Sequence, residues 1–174
     1  FQILPYEHKK VGIVTTGSEV YHGRIQDTFT PVIIEKVTEY GAKVLGHEIC
    51  DDDPQLIGEA IHKLLQEGCN MILCTGGMSV DPDDRTPLAI RNVTGNVVSY
   101  GAPVLPGAMF LLAYYGGDLP VLGLPGCVMY AKRTVFDLVL PRIMAGEILT
   151  KEDLDLLGEG GLCLDCPVCT FPNC

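Results

Sequence analysis

The chain has 174 residues, the size of a single ordinary domain. Hydrophobic residues account for 47% of the chain and charged residues for 20%, which excludes an intrinsically disordered protein. Acidic residues outnumber basic ones by 22 to 12, and the net charge of -10 argues against binding to the backbone of a nucleic acid. The longest apolar stretch, residues 102–115, is interrupted by Pro103, Pro106 and Gly107 and is too short for a membrane-spanning helix, so we expect no membrane partner.

We find no secretory signal peptide, and we therefore expect a cytoplasmic protein whose thiols are reduced. The chain begins with Phe1 rather than Met, so we expect a further N-terminal region of the same protein to precede it. Four of the eight cysteines lie at or near apolar segments and are expected to be small buried residues: Cys50, Cys69, Cys74 and Cys127.

The first half of the chain alternates between predicted strands and helices. The β-branched run over residues 10–16 predicts a strand buried on both faces, and a loop over 18–25 follows it. Asp27 or Thr28 can then cap a helix that ends at Gly41. The next elements are a strand over 43–50, a helix that begins at Pro54 with Asp53 as its cap and ends at Gly68, and a buried strand over 71–74.

The second half continues the alternation with shorter elements. The pattern predicts a helix over 85–93, a strand over 97–99, an apolar segment over 109–115 that is either a helical turn or a strand, a strand over 120–124, a long helix over 128–145 with a kink or break at Pro141, and a weak helix over 151–157. This order predicts an α/β fold, a three-layer sandwich in which helices cover both sides of a mostly parallel central sheet. We expect a lead-in over residues 1–9, the α/β domain over 10–149 and a C-terminal extension over 150–174.

Loops of unusual composition follow three of the predicted strands. They are Gly17-Ser18-Glu19 after the first strand, Thr75-Gly76-Gly77 with Ser79 after the third, and Pro125-Gly126 after the strand over 120–124. Ligands of open parallel sheets bind beyond the carboxyl ends of the strands, and a glycine-rich loop can hold an anion with its backbone N–H groups. The second loop is the best candidate, because Thr75 and Ser79 add hydroxyl donors.

Two aspartates follow the second loop and leave two interpretations open. Asp83 and Asp84 would repel a phosphate directly, but a carboxylate can hold Mg²⁺ against phosphate oxygens. Alternatively, the glycines form an ordinary turn and the aspartates cap the next helix. The presence of three such loops, all at predicted strand ends, favours a binding site.

Taken together, six stretches resemble the molybdopterin-binding domain family, which includes molybdopterin adenylyltransferase, molybdopterin molybdenumtransferase and CinA-like proteins. The stretches are residues 15–19, 23–28, 52–54, 75–80, 82–87 and 124–126, and the similarity covers residues 11–146. Their order and spacing fit the family as well as their content does. The resemblance implies an α/β sandwich that assembles as a homo-oligomer, a dimer or a trimer.

The resemblance also implies the roles of individual residues. Asp84 stands at the family's acidic position, where a carboxylate assists a metal ion, here Mg²⁺, or the transition state, and Ser79 would orient the phosphate. The other residues that match the family's three binding loops are Gly17, Ser18, Glu19, Thr75, Gly76, Gly77, Pro125 and Gly126. Gly76, Gly77 and Ser79 resemble the loop that binds the phosphate end of the pterin.

The sequence departs from the molybdenumtransferase pattern at two places. Residues 105–108 read Leu-Pro-Gly-Ala where those enzymes carry Lys-Pro-Gly-Lys, and Cys127-Val128 stands in place of Asn-Pro. Positive charge must then come from elsewhere, and Arg85 and Arg133 are the expected sources. Arg24 and Lys132 are also within reach by chain position, whereas the four histidines do not cluster and are assigned no role, although His22 lies beside the first loop.

Three functions follow from these observations. The first is Mg²⁺-dependent insertion of molybdate into adenylylated molybdopterin, in the manner of a molybdenumtransferase. The second is a non-catalytic module that binds or senses molybdopterin. The third is a CinA-like nucleotide pyrophosphatase. The expected ligands of the first are molybdopterin or its adenylylated form, molybdate and Mg²⁺.

Four further cysteines crowd into the last twelve residues, at Cys163, Cys166, Cys169 and Cys174. Four thiols in one short loop can bind Zn²⁺ tetrahedrally, and the spacing of the first three cysteines also suits an iron–sulfur cluster, although the last interval is longer than usual. The alternative is a tail with free, reactive thiols. The family resemblance does not extend to this segment, so the expectation of a metal rests on spacing alone.

Overall fold

The computed structural model describes residues 3–159 and 166–168. These residues contain six strands: β1 Lys10–Thr16, β2 Lys43–Cys50, β3 Met71–Thr75, β4 Val97–Tyr100, β5 Leu111–Tyr115 and β6 Leu119–Leu124. They also contain seven helices: α1 Ser18–Tyr21, α2 Phe29–Thr38, α3 Pro54–Gln66, α4 Thr86–Thr94, α5 Cys127–Tyr130, α6 Val135–Met144 and α7 Lys151–Leu156, the last continued by a 3₁₀ turn over Leu157–Glu159. No helix in the described ranges is both long enough and apolar enough to cross a membrane.

The strands form one sheet in the order β2-β1-β3-β6-β5-β4. The first four strands in this order run parallel, whereas β5 is antiparallel to both β6 and β4. The predicted three-layer α/β fold with a mostly parallel sheet is therefore confirmed. Because β1, β3 and β6 are parallel neighbours, their carboxyl ends lie side by side.

Two hydrophobic clusters lie on opposite faces of the sheet. One contains side chains of α2, α6 and α7, and the other contains side chains of α3 and α4. Strand β3 serves both, since Met71 and Leu73 belong to the first cluster and Ile72 and Cys74 to the second. All of its residues are buried, which is typical of a central parallel strand and explains why its sequence is continuously apolar.

Local capping signals fix the starts of the two long helices in the first half. Asp53 accepts hydrogen bonds from the N–H groups of Gln55 and Leu56 at 2.8 and 3.1 Å, and Pro54 occupies the first helical position of α3. At the start of α2 the N-cap position is Thr28, and the side chain of the preceding Asp27 accepts hydrogen bonds from the N–H groups of Phe29 and Thr30. The predicted cap at Asp53 is therefore confirmed, and of the two candidates at α2 Asp27 is the one whose side chain bonds to the first turn.

The structure corrects two of the predicted elements and decides a third that had been left open. Residues 18–21, expected in a loop, form the short helix α1, and the ambiguous segment at 109–115 contains strand β5. The predicted long helix over 128–145 is wrong, because α5 ends at Tyr130 and α6 begins at Val135. Thr134 starts α6 with extended backbone and a capping box to Asp137, while Pro141 lies inside α6 without ending it.

The segment after α6 packs onto the same core. Leu149 and Leu154 are fully buried, and the N–H of Leu149 donates to the Tyr114 hydroxyl at 2.8 Å. Of the body cysteines, Cys50, Cys69 and Cys74 are buried as expected, whereas Cys127 is half-buried. Cys166 is exposed, and its three predicted co-ligands Cys163, Cys169 and Cys174 lie outside the described residues.

Candidate functional site

Three loops leave the sheet at one edge. In the parallel register Thr15 of β1 pairs with Thr75 of β3, and Thr75 pairs with Leu124 of β6. The loops that begin at Gly17, Gly76 and Pro125 therefore start side by side. The predicted binding loops therefore lie together beyond the carboxyl ends of the strands, the position at which open parallel sheets bind ligands, and the space between the loops is the candidate crevice.

The second loop packs directly against the end of β1. Gly76 and Gly77 have φ angles of +83° and +51°, which favour glycine. A Cβ atom at Gly76 would collide with the carbonyl group of Thr16, and one at Gly77 would lie 3.0 Å from the Thr86 hydroxyl. The hydroxyls of Thr16 and Thr86 are themselves 3.1 Å apart and buried. The two loops thus touch at their bases, with no room for a side chain between them.

Asp84 holds the far end of the second loop. Its Oδ2 atom accepts hydrogen bonds from the Ser79 N–H at 2.6 Å and from the Ser79 hydroxyl at 2.9 Å. The Tyr100 hydroxyl donates to the Ser79 carbonyl at 3.0 Å, and burial followed by the charge of Asp84 raises the pKa of this tyrosine. The Ser79 hydroxyl proton is therefore directed at Asp84, while Oδ1 of the same carboxylate remains for a cation or a ligand.

The first loop is fixed by the end of β2. Gly17 has a φ angle of +136°, and its N–H donates to the carbonyl of Cys50 at 3.3 Å. The N–H of Ser18 donates to Oδ2 of Asp52 at 2.9 Å. The carbonyl of Glu19 accepts two backbone N–H groups, those of residues 24 and 25, which closes the segment after α1. Asp52 is therefore a site residue that the sequence did not single out by role, although it belongs to a matching stretch.

The third loop continues into α5. Pro125 is buried and Gly126 is exposed, and the carbonyl of Pro125 accepts the N–H of Val128 at 3.0 Å. Met129 of α5 receives a hydrogen bond at its sulfur from the Thr28 hydroxyl at 3.2 Å. The third loop and the segment that precedes α2 therefore contact each other, which closes the crevice on that side.

The two predicted arginines have different neighbours in the structure. Arg85 stands at the start of α4, next to Asp84, and is partly exposed and 3.6 Å from Asp83. Arg133 instead lies 3.5 Å from Asp137 and 4.0 Å from Glu39, between α2 and α6. Arg85 is therefore the better placed of the two expected arginines.

A polar cluster that the sequence did not reveal lies beneath the first and second loops. The hydroxyl oxygen of Thr15 is within hydrogen-bonding distance of four side chains: Asp27 at 3.3 Å, Thr30 at 3.0 Å, His47 at 2.9 Å and Thr75 at 3.3 Å. Burial alone would raise the pKa of Asp27, but hydrogen bonds from Thr30 and Phe29 and the nearby His47 ring outweigh it and lower that pKa. The Thr75 hydroxyl, predicted to face a ligand, is fully buried in this cluster.

The residues of the second loop suit only one mode of Mg²⁺ binding. Within the described ranges, no three His, Cys, Asp or Glu side chains lie close enough together to enclose a metal ion. A Mg²⁺ ion often takes one or two carboxylates and completes its shell with phosphate oxygens and water. The remaining oxygen of Asp84 suits that mode of binding and not an all-protein metal cage.

Comparison with known proteins agrees with this fold. Residues 12–145 match a family model described as a probable molybdopterin binding domain. A CinA-like protein from Mycobacterium avium (strain 104) is 33% identical over 95 residues, which are 55% of this chain and 22% of that protein. The matched part of the chain thus spans about a fifth of the length of this curated relative.

Solved structures with a similar fold include proteins of molybdopterin biosynthesis and a CinA protein. The molybdopterin biosynthesis enzyme MoaB from Thermus thermophilus superposes with a TM-score of 0.67 at 26% identity, covering 80% of this chain and 98% of that one. The protein CinA from Thermoplasma acidophilum superposes with a TM-score of 0.62 at 20% identity, covering 78% and 98%. The latter similarity concerns the fold alone.

Proposed function

The chain belongs to the family of probable molybdopterin-binding domains, and from that premise we propose that it binds molybdopterin, or its adenylylated form, between the three loops. The observation that carries the proposal is the close contact of Gly76 with the end of β1, which no residue with a side chain could make. Because Gly76 and Gly77 have no side chains, the N–H groups of the loop can approach a phosphate. Gly17, Pro125 and Gly126 flank the same crevice.

Within this site, Gly76 and Gly77 would bind the phosphate end of the ligand. Asp84 would hold Mg²⁺ against it, and Arg85 would supply positive charge. Ser79 would reach the phosphate once its hydroxyl turns away from Asp84, which a cation on that carboxylate favours. Ser18 and Glu19 would line the side formed by the first loop.

We further propose that the domain inserts molybdate into adenylylated molybdopterin with release of AMP. Mg²⁺ would neutralise charge on the phosphates, and the loops would hold the anionic groups in place. The MoaB neighbour is described as a molybdopterin biosynthesis enzyme, which supports an enzymatic role. The uncharged residues Leu105 and Ala108, which stand where molybdenumtransferases carry lysines, favour a second candidate, a module that binds the pterin without catalysis.

The CinA-like relatives favour a third candidate, hydrolysis of nucleotide pyrophosphates. One experiment separates all three: the protein is incubated with adenylylated molybdopterin, molybdate and Mg²⁺, and AMP is measured by chromatography. AMP from that substrate alone supports the molybdenumtransferase proposal. AMP from ordinary dinucleotides favours the pyrophosphatase, and tight pterin binding without AMP favours the module. Failure to bind any pterin would refute the proposed function as a whole.

The role of Asp84 has a matched control in its neighbour. Asp83 is 92% exposed and lacks the contacts that Asp84 makes with Ser79. We expect Asp84→Asn to lower AMP release on the order of 100-fold, the usual effect of removing one electrostatic contact in a transition state. Asp83→Asn should leave the rate unchanged. Equal rates of AMP release in the two variants would contradict the proposed role of Asp84.

We also propose that Cys163, Cys166, Cys169 and Cys174 bind Zn²⁺ or an iron–sulfur cluster, on the strength of their spacing. Zinc and iron analysis of anaerobically purified protein tests this proposal. A stoichiometric metal that is lost when Cys166 and Cys169 are replaced by serine would support it. Negligible metal in a protein with eight titratable thiols would refute it.

A further inference from the structure

Residues 79–84, which lead from the glycines of the second loop toward α4, form a connecting segment that is held together by its own hydrogen bonds. Asp84 accepts the N–H and the hydroxyl of Ser79, and the Ser79 oxygen accepts the N–H of Asp81 at 3.3 Å. Asp81 also accepts the N–H of Asp83 on its carboxylate and the N–H of Asp84 on its carbonyl, both at 3.0 Å. These contacts fix the internal shape of the connecting segment but not its position on the protein.

A single hydrogen bond joins the connecting segment to the sheet. Within the described ranges, the only hydrogen bond between this segment and the rest of the protein is the one from the Tyr100 hydroxyl to the Ser79 carbonyl, at 3.0 Å. A carbonyl oxygen has no proton to donate, so the tyrosine is the donor. Since the N–H and the hydroxyl of Ser79 are bonded to Asp84, every polar group of Ser79 has a partner.

Packing does not take the place of this hydrogen bond. A pocket of about 240 Å³ separates the connecting segment from α4 and β4, and Asp84, Leu88, Arg91 and Tyr100 are among the residues that line it. Residues 79–83 are all exposed. A segment with few buried contacts opens locally at little cost in free energy, so one hydrogen bond has a large share in holding it closed.

Tyr100 offers its hydroxyl from a well-fixed position. Its backbone lies opposite Leu111 in the antiparallel pair of β4 and β5, and the N–H of the next residue, Gly101, donates to the carbonyl of Phe110 at 2.8 Å. The tyrosine side chain is 41% exposed, so its hydroxyl can be removed without opening the core. The sheet thus presents a single donor to a segment that has no other hydrogen bond to it in the part of the chain that the structure describes.

We propose that Tyr100 is a positioning residue, whose hydroxyl holds the Ser79 carbonyl and thereby keeps Ser79 and Asp84 aligned with the Gly76-Gly77 loop. Its effect on catalysis rests on the proposed function, whereas its effect on the connecting segment can be measured without a ligand. Tyr100 acts on the reaction through Ser79 and Asp84.

The first test compares two tyrosines on neighbouring strands. Tyr100→Phe removes the hydroxyl and keeps the ring, and Tyr115→Phe on β5 is the matched control. Loss of one hydrogen bond should speed exchange of the Ser79 amide proton ~2- to 10-fold in Tyr100→Phe, as measured by NMR, and leave it unchanged in Tyr115→Phe. Because both side chains are partly exposed, both variants should unfold within about 2 °C of the parent. Equal exchange at Ser79 in the two variants would overturn the proposal.

The assay for AMP release supplies the second test. Misalignment of Ser79 and Asp84 should lower kcat ~2- to 10-fold in Tyr100→Phe, with a KM for adenylylated molybdopterin within about twofold of the parent. Because Tyr100 acts through Asp84, adding Tyr100→Phe to Asp84→Asn should cause no further loss. An unchanged kcat, or full additivity of the two losses, would overturn the proposal. If the parent releases no AMP but exchange at Ser79 follows expectation, the proposed function fails and the positioning role stands.

Discussion

The contact between Gly76 and the end of β1 can be tested by adding a single methyl group. Gly76→Ala places a side chain at a φ angle of +83°, which costs ~1–2 kcal/mol for an L-residue. The new Cβ also meets the carbonyl of Thr16, and relieving such a forced contact typically costs a further ~1–3 kcal/mol. We therefore expect the free energy of unfolding to fall by about 2–5 kcal/mol.

Gly116 provides the control for this experiment. It has a φ angle of +65° in the turn between β5 and β6, and a Cβ there would meet no atom within 4 Å. Gly116→Ala should therefore lose only the ~1–2 kcal/mol that is due to backbone strain. Urea unfolding followed by circular dichroism measures both losses, and the extra cost at Gly76 corresponds to a Tm roughly 2–12 °C below that of the control variant. Equal losses in the two variants would refute the reasoning, because they would show that the loop moves away from Thr16 without cost.

Three other features of the structure make measurable predictions. Lys36→Met removes one partner of the buried ion pair between α2 and α6 and should destabilise the protein by about 3 kcal/mol in urea, whereas Lys63→Met, which breaks an exposed pair, should have a much smaller effect; similar costs would contradict the burial argument. Burial raises the pKa of the Cys50 thiol to about 11, so alkylation at pH 8 followed by mass spectrometry should modify the exposed Cys166 well before Cys50 unless a metal protects Cys166. The pKa of Asp153 is lowered to about 2 by hydrogen bonds from the Thr150 N–H, the Arg142 guanidinium and the Thr150 hydroxyl. The Asp153 carboxylate therefore stabilises the fold fully at pH values above its pKa in the unfolded chain, which is near 4, and this stabilisation is lost as the pH falls toward 2. After allowance for solvent exposure, Asp153→Asn should cost about 1 kcal/mol at pH 7 in thermal unfolding and nothing near pH 2, and a pH-independent cost would count against the assigned cause.

The elements that could be predicted from sequence are those whose boundaries depend on nearby residues. Strand β2 was expected over 43–50 and is observed there. Helix α3 starts at Pro54 because Asp53 caps it, and both signals stand next to each other in the chain. A glycine just after a helix is likewise a local signal for the end of that helix, as at Gly41 after α2. Such signals need no knowledge of the rest of the fold.

The break between α5 and α6 was missed because its causes are distant in sequence. The N–H of Val135 donates to the carbonyl of Pro106, which fixes the entry to α6 from a loop 29 residues earlier. Lys36 of α2 donates to both the carbonyl of Lys132 and the carboxylate of Asp137, so it ties the interruption to a helix about 100 residues away. The apolar residues over 128–145 repeat with a helical period regardless of these contacts, and period alone therefore predicted one helix.

The candidate site also has features that could be predicted from the sequence and features that could not. That the first two glycine loops share an edge follows from two local facts, namely that each loop follows a strand and that strands joined by helices run parallel. The third loop joins them because β6, which follows the antiparallel β5, pairs parallel to β3. The cluster around Thr15 follows from neither of the two local facts, since it requires β1 to lie between β2 and β3 and the register to bring Thr15 opposite Thr75. A shift of that register by one residue would turn Thr15 to the other face of the sheet, away from Asp27 and His47. The sequence can therefore indicate candidate binding loops, while the side chains packed beneath those loops become visible only once strand order and register are known.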